Sequence, residues 1–139
     1  LLQLDSNVFW GHFLLGIAYR AKQKFEEAIA SLHMAVKVSG MPGLIGWLGL
    51  TLGISGKAAE ARSLLKGLYA KATQDYVPPT SFAWIHLGLA EIDTAFVWLS
   101  RAVDECDQIM MPIKSFAFFD PIRADPRFQI LLRKMNLEP

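Results

Sequence analysis

Residues 12–35 read HFLLGIAYRAKQKFEEAIASLHMA, and the spacing of small residues in this stretch decides the fold. Gly16 interrupts one apolar run, and Ala28 opens a second run 12 residues later. The pair returns as Gly49 and Ala61 and again as Ala83 and Ala95, each also 12 apart. The surroundings repeat with it. His12-x2-Leu15-Gly16-x2-Tyr19 leads to Ala28-x3-Leu32 and Ala35; Ile45-x2-Leu48-Gly49-x2-Leu52 leads to Ala61-x3-Leu65 and Leu68; Phe82-Ala83-x2-His86 leads to Ala95-x3-Leu99 and Ala102. Successive copies are offset by 33 and 34 residues, and a fixed period of that size is the mark of a repeat architecture.

Physical chemistry says what each copy is. Apolar residues at helical spacing with one small residue per run let two helices approach closely, while Leu15, Leu32, Leu48, Leu65 and Leu99 fill the space around the crossing. Short turns, Ala21–Lys24, Ser55–Lys57 and Leu89–Glu91, permit antiparallel hairpins. Between copies, Ser39–Gly43 and Tyr76–Pro79 supply the Gly and Pro that end one helix and begin another. The expected class is therefore all-α, built of antiparallel helix-hairpin repeats over 9–40, 43–75 and 77–107 within one domain spanning 1–139. Residues 1–7 read as the tail of a preceding repeat's second helix, with Asp5–Asn7 as a turn, and on that reading the chain is expected to be a fragment of a longer protein.

The spacing and residue pattern over residues 9 to about 105 resemble those of tetratricopeptide repeats. That resemblance implies a right-handed α-solenoid in which the first helix of each repeat lines a concave groove. Carried over by motif position, the groove residues are Trp10, Phe13, Leu14, Ile17 and Arg20 from repeat one, Trp47, Leu50 and Ile54 from repeat two, and Ser81, Trp84 and Leu87 from repeat three. Some members of the family clamp a terminal carboxylate with Lys, Asn and Arg side chains. Here Phe13, Ile17, Trp47, Val77 and Ser81 stand in those places, so that mode of binding is not implied.

Residues 108–139 depart from the repeat and read as a cap. Met110-Met111-Pro112 is expected to break the chain. Asp120-Pro121 and Asp125-Pro126 each read as a helix start, with Asp as N-cap and Pro at the first helical position. Phe128, Leu131, Leu132 and Met135 then recur at helical spacing, which predicts a capping helix over 126–135. The ending FDPIRADPRFQILLRKMNL resembles that of bacterial repeat proteins whose repeats follow a kinase, nucleotide cyclase or winged-helix module, which implies a regulatory parent.

Composition narrows the remaining classes. Fourteen basic residues against 13 acidic ones leave a net charge of +1, which offers no electrostatic footprint for nucleic acid or for an anionic membrane. The longest apolar run, Leu44–Ile54, has 11 residues, and spanning a bilayer takes about 20. Cys106 is the lone cysteine and reads as a small half-buried hydrophobe in a reducing, cytoplasmic compartment. His12, His33 and His86 do not gather, and no Cys-x2-Cys or His-Glu-x2-His pattern exists. Gly46, Gly49 and Gly53 share a helix stripe, but without a preceding strand or a following GKS they read as close packing in a weakened, flexible helix. Glu26-Glu27 and the Asp104, Glu105, Asp107 cluster read as solvated faces without shifted pKa values.

No catalytic set, metal site or cofactor is therefore expected. The expected role is a scaffold that binds a protein or peptide, or a second copy of itself, through the apolar groove. The alternative is a sensor that holds a small molecule or acyl chain in the same groove. Part of that groove is equally open to coverage by the chain's own Phe116, Phe118, Phe119 or Phe128.

Overall fold

The computed structural model describes residues 2–106 and 117–135, with side chains described over 9–106, 119–120 and 122–135. Among the described residues seven α-helices follow one another: α1 (Leu2–Ala21), α2 (Phe25–Ser39), α3 (Pro42–Ile54), α4 (Ala58–Ala72), α5 (Pro79–Gly88), α6 (Ile92–Asp104) and α7 (Pro126–Lys134). A 3₁₀ segment, Ala117–Ile122, precedes α7. The described residues are helix and turn without strand, and none of their helices is long and apolar enough to cross a membrane.

Local chemistry sets the ends. Pro42, Pro79 and Pro126 occupy first helical positions, where the missing N–H costs no hydrogen bond. Gly40 closes α2 in the left-handed region (φ 66°) and donates its N–H to the Val36 carbonyl. Asp125 caps α7 by accepting the Arg127 N–H at 2.9 Å.

The three hairpin turns are copies of one another. Lys24, Lys57 and Glu91 donate their N–H groups to Tyr19, Leu52 and His86 at 2.8, 2.8 and 2.9 Å. Their own carbonyls accept from Ala28, Ala61 and Ala95. The residue before each takes positive φ: Gln23 (61°), Gly56 (90°) and Ala90 (60°). Equivalent bonds at offsets of 33 and 34 residues make the repeat geometric as well as chemical.

Each helix packs on its neighbour in the chain, and α3 packs on α5 as well. Ala28, Ala61, Ala83 and Ala95 are fully buried. Gly16 lies against α2: a Cβ there would come within 2.6 Å of Leu32 Cγ and 3.4 Å of the Ala28 carbonyl oxygen. Gly49 differs from expectation, because the nearest atoms to its missing Cβ belong to Ile85 of α5, at 2.4 Å, rather than to Ala61. Main chain meets main chain along this seam. A Cβ on Gly46 would reach Ser81 Cα at 2.8 Å, and one on Gly53 would reach Gly88 C at 2.4 Å. The glycine stripe therefore sits clamped between helices, where packing offsets the low helix propensity.

Four further expectations are corrected. α1 runs unbroken through Asp5–Asn7; that stretch has no Gly or Pro, and Asp, Ser and Asn inside a helix cost only about 0.5 kcal/mol each. Leu15 is 49% exposed, since Gly16 turns toward α2 and nothing among the described residues covers the adjoining side of α1. Asp120-Pro121 lies inside the 3₁₀ segment rather than opening a helix, and Asp120 accepts from Arg123 Nε instead of capping main chain. Pro126 follows too soon for another helix to form. Cys106 is exposed, at φ 56°, just past α6. The break expected at Met110–Pro112, Phe116, and the side chain of Phe118 lie outside what the structure describes.

Candidate functional site

The groove residues carried over from the repeat pattern sit on α1, α3 and α5, and their rings form one continuous line. Phe9 stacks on Trp10 (5.2 Å between centroids), Trp10 meets Phe13 edge-on (5.7 Å), and Phe13 meets Trp47 likewise (5.7 Å). Trp47 then touches Trp84 (5.9 Å), Trp84 touches Phe119 (5.4 Å), and Phe119 touches Phe128 (5.8 Å). Edge-to-face and offset pairs at these distances are each worth about 0.5–1.5 kcal/mol beyond area burial.

The two ends of the line differ. Trp47, Leu50, Ser81, Trp84 and Leu87 are buried, at 7%, 0%, 0%, 1% and 9% exposure. These five are not presented at the surface of the described chain, in keeping with the alternative that the chain's own phenylalanines cover part of the groove. α3 and α5 press together through their glycines, and Phe119, itself fully buried, lies on Trp84. The chain covers this end of its own face. At the other end Trp10 is 52% and Leu14 62% exposed. Phe13 and Ile17 are half-buried, and Ile54 is exposed. Arg20 stacks its guanidinium 5.1 Å from the Trp47 ring centroid. Burial pushes its pKa down to about 10, so it still carries its charge at neutral pH.

Tyr19, matched to His86 by the repeat, is half-buried, whereas His86 is buried and wired on both nitrogens. Nδ1 lies 3.0 Å from Glu91 and Nε2 lies 3.2 Å from the Tyr69 hydroxyl. With Nδ1–H donating to the carboxylate, Nε2 accepts from the phenol, which satisfies both ring nitrogens. Glu91 also accepts from Arg62 at 3.2 Å. The His86 and Arg62 hydrogen bonds hold the Glu91 carboxyl below the usual range. This chain of polar contacts joins α4, α5 and the turn before α6. Sequence reading misses it because its members stand on separate elements, although His86 replacing an aromatic residue was a signal.

Glu105 departs from the plain solvated face expected of it, since hydrogen bonds from Arg101 and Tyr76 lower its pKa. Among the described residues no group of His, Cys, Asp and Glu could hold a metal ion. What the face formed by α1, α3 and α5 (the A-face) offers chemically is apolar anchorage, open at α1 and sealed at α5. Compared with family models, curated proteins and solved structures, the chain matches none.

Proposed function

We propose that the chain is a tetratricopeptide-like interaction module, a right-handed stack of helix hairpins that binds another polypeptide and catalyses nothing. The observation that carries this reading is the exposed end of the aromatic line, where Trp10 and Leu14 stand 52% and 62% open beside half-buried Phe13 and Ile17. Contiguous apolar surface of this kind on a folded chain calls for an occupant. The recurrent turn and the 33- and 34-residue period support the solenoid.

The occupant that fits is an amphipathic helix or extended segment laying a few apolar side chains between Trp10, Leu14 and Ile17. It comes from a second protein or from a second copy of this chain. Anchors of this type concentrate binding energy, so truncating one aromatic residue costs about 2 kcal/mol or more. Light scattering and pull-down with the intact chain, repeated with Trp10→Ala and Leu14→Ala, test the reading. Loss of association or of partner capture in both variants supports it; unchanged association in both removes it. Trp47 and Trp84 are unsuited to this test, because truncating buried rings unfolds the seam.

A further inference from the structure

A second aromatic cluster lies between α4, α5 and α6, away from the rings of the A-face. Phe82 stacks on Trp98 (4.3 Å, 21°) and packs against Tyr69 (4.7 Å). Beside these rings is a cavity of about 150 Å³ whose lining includes Tyr69, Asp75, Tyr76, Trp98, Arg101 and Glu105. The linker after α4 supplies Asp75 and Tyr76, the last turn of α6 supplies Arg101, and Glu105 follows directly after that helix.

The cavity already displays the chemistry it accepts. The Arg101 guanidinium sits 5.2 Å from the Trp98 ring centroid while its Nε donates to Glu105 Oε2 at 2.8 Å. Glu105 Oε1 accepts from the Tyr76 hydroxyl at 3.1 Å. A ring face and an oriented carboxylate therefore converge on one planar cation. Arg101 is held loosely, because its side chain is 61% exposed and an exposed ion pair is worth little. Asp75 and Glu105 against Arg101 leave the lining one negative charge in excess.

We propose that this cavity binds an alkylguanidinium, which takes the place of Arg101 over Trp98 and on Glu105. A guanidinium stacks on a ring and donates to a carboxylate at the same time. A lysine ammonium is strongly hydrated and cannot stack, and a quaternary ammonium has no N–H for Glu105. The volume argues for a side-chain-sized group, since pockets for drug-sized ligands run from about 300 Å³ upward. This site is independent of the A-face and of the role proposed for it.

Titration of the intact chain with blocked arginine (N-acetyl-arginine amide), free arginine, N-acetyl-lysine amide and tetramethylammonium tests the proposal. The readout is the indole N–H resonance of Trp98, assigned through Trp98→Phe. Saturable movement of that resonance is expected with the guanidinium compounds. A preference between blocked and free arginine separates a partner's side chain from a small molecule, and either upholds the site. Arg101→Ala removes the resident competitor and should lower the apparent Kd roughly threefold. Glu105→Gln should raise it roughly threefold to tenfold by removing a charged acceptor. Lys24→Ala removes the same charge on the hairpin turn between α1 and α2 and should leave the Kd unchanged. An unmoved Trp98 resonance overturns the proposal. So do equal responses to lysine amide or tetramethylammonium, weaker or unchanged binding in Arg101→Ala, or equal tightening in Lys24→Ala.

Discussion

Replacing Gly88 by alanine should destabilise the protein, although alanine in place of an exposed helical glycine usually gains about 1 kcal/mol. Gly88 is the last residue of α5, and a Cβ there would stand 2.6 Å from the Leu50 carbonyl oxygen and 2.9 Å from Leu50 Cα. Those are main-chain atoms in the middle of α3, so no rotamer change relieves the overlap. The helices must separate by several tenths of an ångström or more, which loosens contacts among Trp47, Leu50, Trp84 and Ile85. Overpacking of this kind costs about 1–3 kcal/mol. Gly67 in α4 provides the internal control, because nothing lies within 4 Å of its missing Cβ. Gly67→Ala should gain about 1 kcal/mol, which places the two variants about 2–4 kcal/mol apart. At about 2–4 °C per kcal/mol, their melting temperatures should differ by roughly 10 °C. Thermal denaturation followed by circular dichroism at 222 nm measures this. Gly88→Ala melting at or above the wild type would refute the close approach of α3 and α5.

Other consequences follow from the same geometry. Phe119→Ala should cost about 3–5 kcal/mol and shift Trp84 emission to the red, because a fully buried ring that shields it is lost; unchanged stability and emission would mean that Phe119 covers nothing. Leu14→Ala should change stability by less than about 1 kcal/mol when the chain is measured alone and dilute, since its side chain is largely exposed, whereas Trp10→Ala also loses the ring contacts to Phe9 and Phe13 and should cost about 1–3 kcal/mol. Glu91 has a depressed pKa in the folded chain, so the unfolded chain takes up its proton first as pH falls. Its stabilisation is complete above the ordinary glutamate value of about 4.3 and is lost as pH falls through the folded-state value. Glu91→Gln should therefore lower stability at pH 7 and flatten the acid limb of a stability–pH curve. An unchanged acid limb would show that the His86–Glu91 contact does not couple to folding.

The helices and their turns were legible because each is set by local chemistry: Pro at first positions, Gly40 past α2, and the 12-residue spacing between small residues. Two of the three hairpin turns place Gln23 and Ala90 rather than glycine at positive φ, so recurrence, more than composition, locates them. What a residue touches across the seam was less legible. Gly49 carries the same signature as Gly16, yet faces α5 rather than its hairpin partner, because α3 is enclosed by α2, α4 and α5 and periodicity does not choose among them. Leu15 and Leu48 occupy matching positions, yet one is 49% and the other 1% exposed, since burial depends on what stands alongside. The candidate face was legible as a set of residues but not as a surface. Motif position put Trp47 and Trp84 on neighbouring helices, α3 and α5, and named Phe119 among four phenylalanines able to cover them, but tertiary packing sets that Phe119 lies on Trp84. Asp125 was recognisable as a cap from the Asp-Pro pair, but Asp120 carries the same pair and caps nothing.

The most direct test of the account places a photoreactive benzoylphenylalanine at position 14 and, as a control, at exposed position 60 of the intact chain in its native cell. Irradiation should link position 14 to a single polypeptide, whether another protein or a second copy, and link position 60 to none above background. The same capture at both positions, or none at position 14, would contradict a polypeptide-binding face at the open end of the aromatic line.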